Sequence, residues 1–186
     1  TDAVAEAKLT ESELDYLDGS LSVTISYKGA EVALGELQGR YTHGDKPDFA
    51  GLGTITLYES IDTGVAFKDY KLILDPGASI TATIADFGLE TLTTAVPTRV
   101  VDGQGDLLGV TLDGSYNHPE KTFDGKGDIA LLRQVQVAEF GENYGIYLEQ
   151  DTSASVEFAA NDFKELKGTL VATLHDEEGE FVKATA

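Results

Sequence analysis

A strict alternation of apolar and hydroxyl side chains begins after Gly19 and constrains the fold class of this chain more than any other feature. Serine or threonine occupies residues 20, 22, 24 and 26, and the apolar positions between and after them are Leu21, Val23, Ile25 and Tyr27. Successive side chains of a strand point to opposite faces of the sheet, so a period of two is typical of a half-buried strand. The sequence therefore predicts a β strand directly after Gly19.

Eight further short apolar runs have the length of strands, and turns rich in glycine and aspartate separate most of them. They cover residues 54–58, 70–74, 79–84, 108–112, 129–137, 144–148, 156–158 and 168–174. Nine or ten strands without intervening helices favour an antiparallel sandwich or barrel over a parallel βαβ sheet. We therefore expect a mainly β chain that forms a single antiparallel β-sandwich or barrel domain over residues 1–186.

Residues 86–96 show a different period. Their apolar members are Phe87, Leu89, Leu92 and Val96. Leu92 follows Leu89 by three positions, and Val96 follows Leu92 by four. Asp86 stands where a helix cap would stand, and Pro97 follows at the point where a helix would end. The pattern predicts one amphipathic α-helix that flanks the sheets.

Two other segments are not predicted to form strands. Residues 1–18 are rich in alanine and glutamate, and Thr10 to Glu13 resembles the S/T-x-x-E start of a capped helix, so we expect an N-terminal arm or a short helix. Residues 34–52 contain several glycines around Arg40-Tyr41-Thr42-His43. They predict a long Gly-rich loop, and such loops are usually either disordered or functional.

The charge balance limits the classes of partner. The chain has 13 Lys and Arg against 33 Asp and Glu, a formal net charge of −20, which argues against tight nucleic-acid binding through counterion release. Three causes fit such an excess: a high-salt habitat, cationic partners, or a surface that must not retain a passing polyanion. The absence of cysteine excludes disulfides and thiol chemistry. No apolar run has the roughly 18 residues of a membrane helix, and no leader pattern opens the chain, so we expect no membrane association.

Residues with catalytic potential do not form a recognisable motif. His43, His118 and His175 are each isolated in the sequence, and no serine lies in a G-x-S-x-G turn. We therefore expect no enzyme, no cofactor and no metal site. A D-G-x-G-D pattern occurs at residues 102–106 and again at 124–128. Hairpin turns explain it better than calcium, although clustered carboxylates beside glycine leave calcium open.

The order of features from Gly53 onward resembles the major tail protein, the tail tube subunit, of long-tailed bacteriophages. The segments that carry the resemblance are Gly53 to Tyr58, the hairpin from Tyr70 to Ile84, Asp86 to Ala95, Tyr144 to Leu148, Ala154 to Phe158 and Leu166 to Ala172. Together with the turn at Asp176 to Gly179, they span about two thirds of the chain. Glu149-Gln150 stands where a Pro-Arg pair is common in the family, and residues 1–38 have no counterpart in it.

The resemblance implies a structural virion protein that is made in the host cytoplasm. Its subunits would form stacked hexameric rings, contact other tail proteins, and let double-stranded DNA pass without tight binding. The glycine-rich loop would reach a neighbouring subunit, and the candidate contact residues are Gly39, Arg40, Tyr41, His43 and Phe49. Candidate acids of the lumen or rim are Asp45, Asp48, Glu59, Asp62, Asp69 and Asp75.

Two alternatives belong to other classes. Val156 to Ala160, followed by Leu166 to Leu170, has some likeness to bacterial lipoproteins and suggests a secreted or surface β-barrel module that binds a ligand or a protein. The acidic composition also fits a capsid-decoration domain or a calcium-dependent adhesin domain.

Overall fold

A computed structural model of the chain describes residues 2–10, 13–67, 69–140 and 144–186. Strand accounts for 79% of the chain, and the sheets are antiparallel, so the expectation of a mainly β antiparallel fold is confirmed. Within the described ranges no residue is helical, and accordingly no helix there is long and apolar enough to cross a membrane.

Sixteen strands follow one another along the described residues. They are β1 (Asp2–Thr10), β2 (Glu13–Tyr27), β3 (Ala30–Thr42), β4 (Asp48–Leu57), β5 (Ile61–Phe67), β6 (Tyr70–Leu74), β7 (Ser79–Ala85), β8 (Gly88–Asp102), β9 (Gly105–Asn117), β10 (Thr122–Leu131), β11 (Val135–Phe140), β12 (Tyr144–Leu148), β13 (Ser153–Ala159), β14 (Asp162–Thr169), β15 (Val171–Asp176) and β16 (Gly179–Thr185). The predicted runs at 70–74 and 144–148 coincide with β6 and β12, whereas 129–137 and 168–174 each cover parts of two strands.

The chain divides into two compact units. Unit 1 contains residues 1–61, 75–96 and 113–124, and unit 2 contains residues 62–74, 97–112 and 125–186. Strands β8, β9 and β10 contribute residues to both units.

Unit 1 is built on a run of antiparallel neighbours in the order β1-β2-β3-β4-β7-β8. The register places one row of side chains across five of these strands, because each member pairs with the next: Leu21, Leu37, Gly53, Ala82 and Leu92. Since side chains alternate between faces, every second row lies on the same face as this one.

Unit 2 contains two sets of paired strands. In one of them β6 pairs with β5 and with residues 98–101 of β8, while β13 lies between β10 and β14. The other is a separate four-stranded antiparallel sheet with the order β11-β12-β15-β16.

Neither unit is a closed barrel, so the barrel alternative is wrong. Closure requires the first and last strands of a sheet to pair with each other. Among the described residues, β1 pairs only with β2, and β14 pairs only with β13. These strands therefore remain sheet edges.

Few apolar side chains are buried in either unit. The buried apolar residues of the described chain are Val32, Ala33 and Ala78 in unit 1, and Leu131 and Val171 in unit 2. Many larger apolar side chains of the described residues remain exposed.

The predicted helix at residues 86–96 is wrong. Asp86 and Phe87 form the turn of the β7–β8 hairpin, with φ angles of 48° and 59°, and the residues that follow belong to β8. Two successive positive φ angles are the geometry of a type I′ turn, whose twist matches that of the flanking strands. The aspartate therefore opens a hairpin and not a helix.

A β-bulge explains why this segment imitates a helical period. The pairing register of β7 and β8 shifts between Thr83 and Ile84, so Leu89 pairs with Ile84 while Leu92 pairs with Ala82. The extra residue brings two apolar side chains with helical spacing to the same side of a strand. The spacing alone does not distinguish this bulged strand from a helix.

The expected N-terminal arm or helix at 1–18 is also wrong for the residues that the structure describes. Residues 2–10 form β1 and residues 13–18 begin β2, while Thr1, Glu11 and Ser12 lie outside the described ranges. Ala5 pairs with Gly19 and Ala7 pairs with Leu17. The alternating alanines thus follow the period of a strand.

The expected long loop at 34–52 is wrong as well, because most of it belongs to β3 and β4. Only residues 43–47 connect the two strands. A Cβ atom on Gly39 would lie 2.7 Å from the tip of the Phe49 ring. Glycine is needed there because the ring covers the backbone, and not because the chain forms a loop.

Candidate assembly surface

One face of the unit 1 sheet is apolar and leaves several large side chains exposed. We call it the apolar face and define it by ten residues in two adjacent rows across five strands: Leu21, Val23, Gly35, Leu37, Gly53, Ile55, Ile80, Ala82, Leu92 and Thr94. None of these ten residues is charged. Leu37, Ile55 and Ile80 retain 43%, 47% and 46% of their accessible surface. A sheet normally buries such a face against a second layer.

A shallow hollow of about 380 Å³ lies in the apolar face. Gly35 and Gly53 are among its lining residues, and the side chain of Val23 leans over Gly35, where a Cβ atom would lie 2.9 Å from Val23 Cγ2. Ile55 and Ile80 pair with each other across β4 and β7 and form a ridge beside it. The surface therefore has both a projection and a depression of side-chain size.

The opposite face of the same sheet is rich in hydroxyl groups. By the same register it presents Ser20, Ser22, Thr24, Glu36, Gln38, Thr54, Thr56, Ser79, Thr81, Thr83, Thr91 and Thr93, together with the apolar Leu34, Leu52 and Ala95. The Oγ1 atoms of Thr54 and Thr81 lie 3.2 Å apart, within hydrogen-bonding distance. This face carries polar side chains at most of its positions, whereas the apolar face carries them at only one, Thr94.

An aromatic cluster stands at one end of this sheet and contains three of the five predicted contact residues. Tyr41 and Phe49 pair across β3 and β4, and each has its ring centroid about 6 Å from that of Phe87 in the β7–β8 turn. His43 lies 6.3 Å from Tyr41, measured between ring centroids. Phe87 is 61% exposed, so the cluster presents an apolar tip to solvent.

Arg40 is the predicted contact residue that makes the strongest polar contacts. Its Nε and Nη2 donate to the two carboxylate oxygens of Asp18 at 2.7 Å each, and its guanidinium lies 4.4 Å from the Tyr16 ring centroid. The hydrogen bond from Arg40 lowers the pKa of Asp18. This exposed fork fixes the pairing of β2 and β3 at their ends but adds little stability, because water screens both charges.

The six candidate lumen acids are divided between the two units. Asp45, Asp48, Glu59 and Asp75 belong to unit 1, whereas Asp62 and Asp69 belong to unit 2. Asp62 also forms an exposed ion pair with Lys71 at 3.4 Å. No common surface follows from their placement, and the assignment of lumen charge stays a prediction.

Many basic side chains are held by neighbouring carboxylates. Ion pairs include Lys8–Asp15, Arg40–Asp18, Lys71–Asp62, Arg99–Asp106, Lys126–Asp128, Arg133–Asp102 and Lys167–Glu165. Neutralised in this way, these cations offer little attraction to phosphate, and the remaining carboxylates set the sign of the surface.

The first and last carboxylates of the D-G-x-G-D turn at residues 102–106 form ion pairs with arginines. Arg133 pairs with Asp102 and donates to Gln104 at 2.9 Å, and Arg99 pairs with Asp106 at 2.7 Å. In the part of the chain that the structure describes, no group of three or more His, Cys, Asp or Glu side chains is arranged to hold a metal ion.

A polar cluster in the second sheet of unit 2 was not predicted from the sequence. Thr173 is 1% exposed, and its hydroxyl contacts both the Glu149 carboxylate and Nε2 of His175, the latter at 2.9 Å. Gln134 donates to Glu149 at 2.7 Å, and the Tyr147 ring centroid lies 4.5 Å from that of His175. The residue types resemble a nucleophile with a base, but the threonine hydroxyl is closed to any substrate. The cluster joins strands.

This cluster makes the stability of unit 2 depend on pH. Hydrogen bonds from Thr173 and Gln134 lower the pKa of Glu149 below its ordinary value of 4.5. A lowered pKa means that the stabilisation is complete above pH 4.5 and is lost as the pH falls through the folded-state value. We expect Glu149→Gln to remove this dependence, so that the variant loses less unfolding free energy than the wild type on acidification from pH 6 to pH 3.

Urea unfolding at each pH measures the effect. Glu177→Gln, which removes an exposed carboxyl from the β15–β16 turn, is the matched control and should follow the wild type. Identical pH profiles for Glu149→Gln and the wild type would contradict the role of the cluster.

Comparison with protein families, with curated proteins and with solved structures finds no match for this chain.

Proposed function

We propose that this chain is a self-assembling structural protein of a virion, the tail tube subunit of a long-tailed bacteriophage, whose copies complete each other's sheets. In this proposal the subunits form hexameric rings that stack into a tube and contact other tail proteins, and double-stranded DNA passes along the channel. Function then resides in extended surfaces and not in a pocket.

The observation that carries the proposal is the amount of surface left exposed. The chain has 12188 Å² of accessible surface. Two independent globular domains of half its mass would together expose about 10,400 Å², and one compact monomer would expose about 8,600 Å². Even when the units are counted separately, the excess remains, and an excess of this kind is expected of a subunit that buries surface on assembly.

Unpaired strand edges support the same proposal. β1 in unit 1 and β14, β11 and β16 in unit 2 each have one hydrogen-bonded neighbour among the described residues. A free edge presents unpaired N–H and C=O groups and adds strands from another chain readily. Head-to-tail contacts of this kind close into rings when the rotation between copies allows it.

The charge of −20 supports the passage of DNA as opposed to its retention. Attractive contacts between basic side chains and phosphates would act as a brake on a moving duplex. Because many lysines and arginines are paired with carboxylates, the surface carries few cations that would anchor a phosphate.

Assembly is expected to depend on both protein concentration and salt. Copies that each carry −20 repel one another at low ionic strength, so raising NaCl from 20 mM to 500 mM should shift the purified chain from small species toward rings or tubes. Negative-stain microscopy and sedimentation velocity measure this shift. A monodisperse monomer at millimolar concentration and high salt would refute the proposed function.

A further inference from the structure

We infer that the apolar face of unit 1 is covered by the apolar face of a second copy, so that the unit 1 sheets of two chains pack as the two layers of a β-sandwich. The inference rests on the proposed self-assembly and assigns one of its contacts to a specific surface. Two sheets that pack face to face lie about 10 Å apart and interdigitate their side chains.

The size of the face fits a stable contact between two copies. By the register, the same uncharged surface continues beyond the ten residues through Gly19, Gly39, Gly51, Ile84 and Leu89 on one side and through Ile25, Ala33 and Leu57 on the other. Five strands about 4.8 Å apart, extended along about seven residues of about 3.3 Å each, give roughly 550 Å² per copy. A pair would then bury about 1,100 Å², just above the roughly 1,000 Å² that a specific interface needs. A patch of this size is at the upper end of what soluble monomers expose.

The absence of charge on the face favours a second copy over a partner of opposite charge. None of the ten residues that define it is charged, although the chain carries −20. A basic partner would be recognised through carboxylates, and interface centres are depleted of charge in the way that this face is. An anionic lipid surface would repel the chain.

The relief of the face is self-complementary. Ile55 and Ile80 form the ridge, and the hollow of about 380 Å³ that they line together with Gly35 and Gly53 lies beside it. A two-fold rotation places the ridge of each copy in the hollow of the other, which uses the same patch twice. A two-fold contact of this kind joins two copies and no more. The free strand edges remain available for contacts with further copies.

Ile80→Lys tests the inference because it places a charge at the centre of the pair. Thr93→Lys is the matched control: it adds the same charge to the opposite, hydroxyl-rich face, where Thr93 is exposed. In sedimentation equilibrium of the full chain we expect Ile80→Lys to raise the dissociation constant of the pair at least about 100-fold, and Thr93→Lys to change it less than about 3-fold.

A spin label gives a second measurement that does not require the pair to be broken. The chain has no cysteine, so Ile80→Cys or Thr93→Cys accepts one label per copy. We expect electron–electron distances below about 20 Å between labels at residue 80, from the roughly 10 Å separation of packed sheets, and clearly longer distances between labels at residue 93.

The outcomes separate this inference from the proposed function. If Ile80→Lys assembles as the wild type does, or if the two labels give equal distances, the face is not the contact and the inference fails while self-assembly stands. If the wild type is a monomer under every condition, both fail. Co-sedimentation with neutral phosphatidylcholine vesicles in place of self-association would assign the face to a lipid surface and overturn the inference.

Discussion

Gly51→Ala is expected to destabilise unit 1 by about 1–3 kcal/mol, the usual cost of forcing extra volume into a packed site. A Cβ atom on Gly51 would lie 2.9 Å from the backbone carbonyl oxygen of Gln38 and 3.2 Å from the Phe49 ring. A ring can rotate away, but the carbonyl belongs to the neighbouring strand, and it can retreat only if β3 and β4 separate. Chemical unfolding at a fixed protein concentration measures the loss.

Gly53→Ala is the matched control two residues further along β4. A Cβ atom at this position would meet Leu37 Cδ1 at 3.5 Å, an ordinary van der Waals distance. Alanine also restricts the unfolded chain more than glycine does, so we expect stability to be unchanged or to rise by up to about 1 kcal/mol. Equal destabilisation by both substitutions would show that β4 needs glycine for its backbone conformation and not for the close approach of Gln38.

The strands of unit 1 were predictable wherever one residue type alternated with another. The period of two in residues 20–27 lies within β2, and the run at 79–84 lies within β7. What alternation does not reveal is whether a second layer covers the apolar side. Covering a face is a tertiary event, and the same pattern serves a sandwich within one chain and a sheet completed by another.

The errors had local physical causes. Residues 86–96 contain several β-branched side chains, and their preference for a strand prevails over the leucine spacing that is typical of a helix. Pro97 also proved compatible with a strand, since β7 pairs with β8 up to Ala95 and β6 pairs with it from Thr98 onward. The proline lies between these two ladders, a position at which neither β6 nor β7 is paired with it.

The sequence does not predict the polar cluster around Glu149, and the reason here is a different one. Thr173 and His175 are two residues apart, and that spacing places them on one face of a strand, but Gln134 and Glu149 come from distant parts of the chain. The pairing of β12 with β15 brings them together. Only a correct strand order would have predicted the contact.

Asp102→Ala is expected to destabilise unit 2 by about 1–3 kcal/mol, because it leaves the Arg133 guanidinium half-buried without its carboxylate. The two side chains retain only 25% and 19% of their surface, for Arg133 and Asp102 respectively. Removing one partner of a fully buried pair costs about 3–5 kcal/mol, and this partial exposure reduces the figure. Nε of Arg133 is buried and has no hydrogen-bond partner among the described residues, and after the substitution the guanidinium would keep Gln104 as a neutral acceptor in place of a carboxylate.

Asp106→Ala provides the comparison within the same turn. It removes the carboxylate from Arg99 in a pair whose side chains are 33% and 45% exposed, and such pairs contribute less than about 1 kcal/mol. Urea unfolding of both variants and of the double variant Asp102→Ala/Arg133→Ala completes the test, since the double variant should lose less stability than the sum of its two single substitutions. Equal losses for Asp102→Ala and Asp106→Ala, or a strictly additive double variant, would show that the turn at residues 102–106 is an ordinary hairpin tip whose arginine contacts do not stabilise the fold.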